Sequence, residues 1–146
     1  MAKMLILYWF LTLFLGGCAA GRYETVQPQY YPGTHKSFDV TFGWKKTVTA
    51  TGIAVNGYAR NTRYPLMQDL ELILTLLDSR GKEKGKKVFY FIPSRLPQDD
   101  GAYFDIVLPV RPQPGDRLRF LYRYKGIEDS DMNIPWMNSF EVPAAD

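Results

Sequence analysis

Few residues of this chain have the chemistry of an active site, and those that do stand apart. One cysteine, Cys18, and one histidine, His35, occur in 146 residues. Cys18 follows the uncharged run Leu5–Leu15, with Lys3 ahead of it and Gly16-Gly17 behind. A basic start, a short apolar stretch and small residues at a cut site form the layout of a secretory signal. Eleven helical residues cover about 16 Å, roughly half a bilayer core, too little for a comfortable permanent span. His35 lies between Thr34 and Lys36 in a polar stretch and reads as a solvated linker residue. A Ser-His-Asp arrangement needs a histidine held by the scaffold. Zinc sites favour several His or Cys ligands. One of each supplies neither, so no metal, no cofactor and no catalytic residue is expected.

Three charged constellations remain. Asp129-Ser130-Asp131-Met132-Asn133 matches the first half of a calcium loop, but Ile134 stands where glycine is needed and Phe140 where glutamate is needed. It reads as a polar loop. Gly81-Lys82-Glu83-Lys84-Gly85-Lys86-Lys87 lacks the glycine spacing and the Ser or Thr of a phosphate loop. With Arg80 it reads as a basic hairpin loop. Arg117, Arg119 and Arg123 recur on one face of an alternating segment. They form a solvated stripe that could meet phosphate or carboxylate groups, or pair with Asp99-Asp100 and Glu128-Asp129-Asp131. Trp136, flanked by Pro135 and Met137, is the best candidate for an apolar anchor in a protein contact. Packing over an open end of the fold is the other reading of it. These four residues are the interaction candidates, and an enzyme is not expected.

Leu15-Gly16-Gly17-Cys18 resembles the lipobox of bacterial lipoproteins. The resemblance implies that residues 1–17 are a signal peptide and that the Cys18 thiol carries a diacylglyceryl group. That would remove the stray thiol that an exported chain with one cysteine would otherwise hold. Ala19, in place of an acidic residue, resembles the pattern of lipoproteins sent to the outer membrane of a two-membraned cell. The expectation is a lipid-anchored protein of the cell envelope, facing the periplasm.

Cleavage before Cys18 would leave 129 residues, enough for one domain with a real core. The net charge of +3 is too mild for a nucleic-acid partner, and the 15% aromatic content is that of a folded protein. Residues 18–36 form a lipidated tether, because Pro28, Pro32, Gly33 and the polar residues around them follow neither a helical nor a strand period. Tyr23, Tyr30 and Tyr31 could rest at a membrane interface, remain plain linker, or pack on the domain.

From residue 37 onward the periodicity is two. Phe38–Phe42 alternates apolar and polar residues. Thr47–Arg60 puts Ile53, Val55, Gly57 and Ala59 on one face. Leu70, Leu72, Leu74 and Leu76 occupy every second position, which argues strand against helix. Asp78-Ser79-Arg80-Gly81 is a turn, with Gly81 accepting positive φ. Val88–Ile92, Phe104–Val110 and Leu118–Tyr124 follow as strands, and Ile134–Val142 adds a last one. Pro109 belongs at an edge or bulge. Seven short strands with turns every eight to twelve residues predict an all-β sandwich over residues 37–146, which the resemblance given next makes immunoglobulin-like.

Val55, Gly57, Ala59 and Asn61, then Leu74 to Asp78 with Gly81, then Phe104 and Ile106, are similar to the FxLYD type of immunoglobulin-like domain. The match covers residues 47–124, with Leu76-Leu77-Asp78 standing where Leu-Tyr-Asp is usual. The resemblance implies an exported, tethered sandwich without assigned chemistry. The expected function is therefore a non-catalytic envelope module that binds another protein or joins an assembly. The alternative is a carrier holding a lipid or other small apolar ligand between its sheets.

Overall fold

The computed structural model describes residues 30–129 and 132–145. Cys18, the signal segment 1–17 and most of the expected tether lie outside the described residues, as do Ser130 and Asp131 of the calcium-like loop. Among the described residues the chain forms nine strands. They are β1 (Gly33–Lys36), β2 (Val40–Val48), β3 (Ile53–Asn61), β4 (Leu66–Leu77), β5 (Glu83–Tyr90), β6 (Arg95–Pro97), β7 (Gly101–Leu108), β8 (Arg117–Ile127) and β9 (Asn133–Pro143). A first sheet has the order β1-β2-β3-β7, and a second the order β5-β4-β8-β9 with β6 also paired to β4. Every pairing is antiparallel. The result is an all-β sandwich of two antiparallel sheets.

Seven of the nine strands are those the alternation predicts, and their boundaries follow turn chemistry. Thr49–Gly52 separates β2 from β3 within what reads as one run. The Thr49 N–H bonds the Gly52 carbonyl at 2.9 Å, and the Thr49 hydroxyl accepts the Gly52 N–H at 3.1 Å. Asp78 Oδ1 accepts the N–H groups of Arg80 (2.8 Å) and Lys82 (2.9 Å), while Gly81 takes a φ of +84°. Asp69, at φ +54°, sits in a β4 irregularity where the pairing with β8 shifts register between Gln68 and Glu71. Aspartate is among the few non-glycine residues that accept this conformation readily.

Two strands run through segments that read as loops. Gly33–Lys36 pairs with β2 in the register Gly33↔Trp44 to Lys36↔Thr41. The tether reading therefore ends before Gly33, because a hairpin partner supplies order that local composition does not encode. Likewise Arg95–Pro97 pairs with Leu66–Gln68. The segment that reads as a basic loop belongs in part to β5, whose pairing with β4 begins at Glu83↔Leu77. Its lysines lie on an edge strand, where charge discourages sheet-to-sheet aggregation. Ile92, placed in that strand by its apolarity, lies beyond it and is exposed.

The core lies between the sheets. Val40, Phe42, Trp44, Ile53, Val55 and Ala59 of the first sheet are buried against Leu72, Leu74, Leu76, Leu118, Phe120 and Tyr122 of the second. Each large side chain removed from water contributes roughly 1.5–3 kcal/mol. Rings fill much of the β1-β2/β8-β9 half. Phe120 and Phe140 stack at 4.8 Å, Trp44 lies 5.1 Å from Phe120, and Phe42 lies 5.0 Å from Tyr122.

Candidate functional site

Along β8 the odd-numbered side chains from Arg117 to Lys125 leave the core, while Leu118, Phe120, Tyr122 and Tyr124 are buried. The register then sets which neighbours meet the arginines: Glu141 lies opposite Arg119, Met137 opposite Arg123 on β9, and Glu71 opposite Arg123 on β4. Arg119 pairs with Glu141 at 2.8 Å, and Arg117 reaches the same carboxylate at 3.2 Å. Arg123 holds the mostly buried Glu71 at 2.9 Å, and Lys125 holds Asp69 at 3.1 Å. The stripe is thus an ion-paired face. Its partners are Glu141 and Glu71 rather than the acidic groups suggested by the sequence: Asp99 pairs with Arg60, and Glu128 with Arg63.

A depression of about 440 Å³ opens beside this face, lined by Glu71, Arg123, Lys125, Trp136 and Met137 among others. Trp136 keeps 38% of its surface exposed and Met137 67%. The Trp136 ring meets Phe38 edge-on, with centroids 5.2 Å apart. One side of the indole thus packs on Phe38 and another is open to solvent. Of the four candidates, Arg123 and Trp136 share this depression. Arg119 lines a neighbouring one of about 430 Å³ with Ile73 and Leu121, and Arg117 lines neither. Glu71 and Asp69 carry no signal in the sequence, because their meeting with Arg123 and Lys125 depends on strand order. Arg123 and the Pro135-Trp136-Met137 cluster are legible in the sequence itself.

Strand β9 lies at the rim of its sheet, yet its free edge is blunted. The Ala144 N–H donates to the Asp116 carbonyl at 2.9 Å, so even-numbered N–H groups face β8 and odd-numbered ones face outward. Among the outward positions, Pro135 and Pro143 have no N–H, and the Ser139 N–H donates to Asn138 Oδ1 at 2.8 Å. Side chains rather than an added strand are what this edge offers a partner.

His35 is not a solvated linker residue. It stands in β1 and stacks on Phe140 at 3.8 Å, and burial lowers its pKa below the ordinary histidine value while Asp39 opposes that shift. Asp39 is a second departure from the expected alternation. Because β2 begins at Val40, Asp39 belongs to the preceding turn and points inward, leaving Phe38 exposed. Its carboxylate accepts hydroxyls from Ser37, Tyr122 (3.2 Å) and Tyr124. Among the described residues no three His, Cys, Asp or Glu side chains are grouped to hold a metal ion.

No protein-family model matches this chain. No curated protein matches it either. Solved structures do share its fold. A Bordetella pertussis protein described as ApaA superposes with a TM-score of 0.53 at 14% identity, covering 75% of this chain and 97% of that one. The GAE domain of yeast GGA1 gives a TM-score of 0.46 at 12% identity, covering 75% and 96% respectively. The likeness to ApaA concerns the fold alone.

Proposed function

We propose that this protein is a lipoprotein of the cell envelope, acylated at Cys18, held on the outer membrane facing the periplasm. Its sandwich acts as a non-catalytic module that binds another envelope protein. The observation that carries the binding role is the β8–β9 surface, where exposed Trp136 and Met137 lie beside fixed arginine–carboxylate pairs. An apolar centre with a polar rim suits a protein contact. The arginine sides of these pairs are about half exposed, so their charges can also orient a partner. The carrier reading is less well supported, because Phe42, Trp44, Phe120, Tyr122 and Phe140 occupy space between the sheets that a ligand would need.

A photo-crosslinking residue at Met137, compared with one at Thr47 on the opposite sheet, tests this in intact cells. A discrete adduct from position 137, absent from position 47 and lost with Trp136→Ala, is expected. Equal adducts from both positions, or none from position 137, would overturn it.

A further inference from the structure

Tyr58 is an outward-pointing residue of the central strand β3, yet only 3% of it is exposed. Two features account for this. Gly43, its register partner on β2, leaves the ring room to lie flat, since a Cβ there would come within 2.2 Å of it. Tyr31 then crosses the ring edge-on, with centroids 5.2 Å apart. The Tyr31 side chain, two residues ahead of β1, thereby lies on the first sheet's outer face over β3.

Around this ring pair lie exposed Tyr30 and Tyr103, with Lys36, Lys45 and Arg60 on the same face. Asp105 is its one opposing charge in β7, and Asp99 is held by Arg60 at 3.0 Å. Tyrosine has an apolar ring and a polar tip, which suits the membrane–water boundary. Lysine and arginine near a surface are drawn to anionic headgroups. The stretch between Cys18 and Tyr30 reaches at most about 40 Å when extended, so an anchored Cys18 keeps Tyr30 within that distance of the bilayer and the basic, tyrosine-bearing face around it at high effective concentration.

We infer that the outer face of the first sheet, centred on Tyr31, Tyr58 and Tyr103, rests on the lipid surface that holds Cys18. This rests on the proposed anchor and adds an orientation to it. The second sheet, with Trp136, Arg123 and Met137, then faces away from the membrane toward partners.

Acylation at Cys18 leaves no free thiol, so introduced cysteines can carry a spin label alone. The acylated full-length protein would be placed in vesicles of phosphatidylethanolamine and phosphatidylglycerol. Variants Thr34→Cys and Thr47→Cys report on the first sheet, and Ser139→Cys on the second. Oxygen should relax the labels at 34 and 47 several-fold more effectively, relative to a water-soluble nickel reagent, than the label at 139. A Tyr31→Ser/Tyr103→Ser background should shrink that contrast. An acylated protein whose three labels are equally wet would overturn the orientation and leave the anchor standing. A protein without acyl mass would overturn both.

Discussion

Tyr124, on β8 of the second sheet, donates its hydroxyl to the carboxylate of Asp39, which stands in the turn ahead of β2 on the first. Tyr122 reaches the same carboxylate at 3.2 Å, so one buried acid joins the two layers through side chains. Tyr124→Phe removes a donor without changing shape, and leaves part of a buried carboxylate unsatisfied. Urea unfolding should show a loss of about 1–3 kcal/mol. Tyr122→Phe should cost less, because its longer bond to Asp39 is shared with Ser37. An unchanged midpoint for Tyr124→Phe would remove the acid from the account of stability.

The same cluster sets alkaline behaviour. Burial, with the Asp39 carboxylate beside it, pushes the Tyr122 hydroxyl up to about 12, and burial with the Asp39 hydrogen bond raises Tyr124 further. A phenol whose folded pKa is raised stabilises the fold fully below its unfolded pKa, and that contribution fades as pH climbs through the folded value. Stability should thus decline from about pH 10 upward. Phenolate absorbance and circular dichroism should show these two tyrosines ionising together with loss of structure.

Since His35 is the chain's only histidine, its ring protons can be followed by NMR without ambiguity. Burial against Phe140 lowers its pKa, so the neutral ring is favoured in the fold. A depressed folded pKa contributes stability above the unfolded value of 6.5, lost as pH falls through the folded one. The native titration midpoint should lie below 6.5 and return toward it in urea. A native midpoint at or above the unfolded one would contradict the stacked geometry.

Asn61 is buried with its amide fully used. Its Nδ2 donates to the Tyr64 carbonyl at 2.8 Å and the Leu96 carbonyl at 3.0 Å, and its Oδ1 accepts the Arg63 and Tyr64 N–H groups. Asn61→Ala strands several backbone groups at once and unties β6. A loss of roughly 3 kcal/mol is expected, given about 1 kcal/mol per hydrogen bond and more for each buried group left unpaired. Asn61→Asp should recover little, because a carboxylate cannot donate to the two carbonyls. Thermal unfolding of both variants measures this.

Sequence periodicity reached the sandwich because alternation and turn chemistry act over a few residues. The leucines of β4, the Asp78–Gly81 turn and the aromatic face of β8 all stand where they were expected. What it missed depends on contacts distant in the chain. Gly33–Lys36 becomes a strand only because β2 lies beside it, and Asp39 is buried only because two tyrosines from β8, 83 and 85 residues further on, provide donors. The candidate site divides in the same way. Arg123, Trp136 and its neighbour Met137 could be named from type and spacing, whereas Glu71 and Asp69 join them through strand order.

Metabolic labelling with palmitate, comparing the natural chain with Cys18→Ser, tests the proposed anchor most directly. Label incorporated by the natural chain, together with release of Cys18→Ser from the membrane fraction, is the expected result. An unlabelled natural chain, with Cys18→Ser equally retained in the envelope, would contradict it.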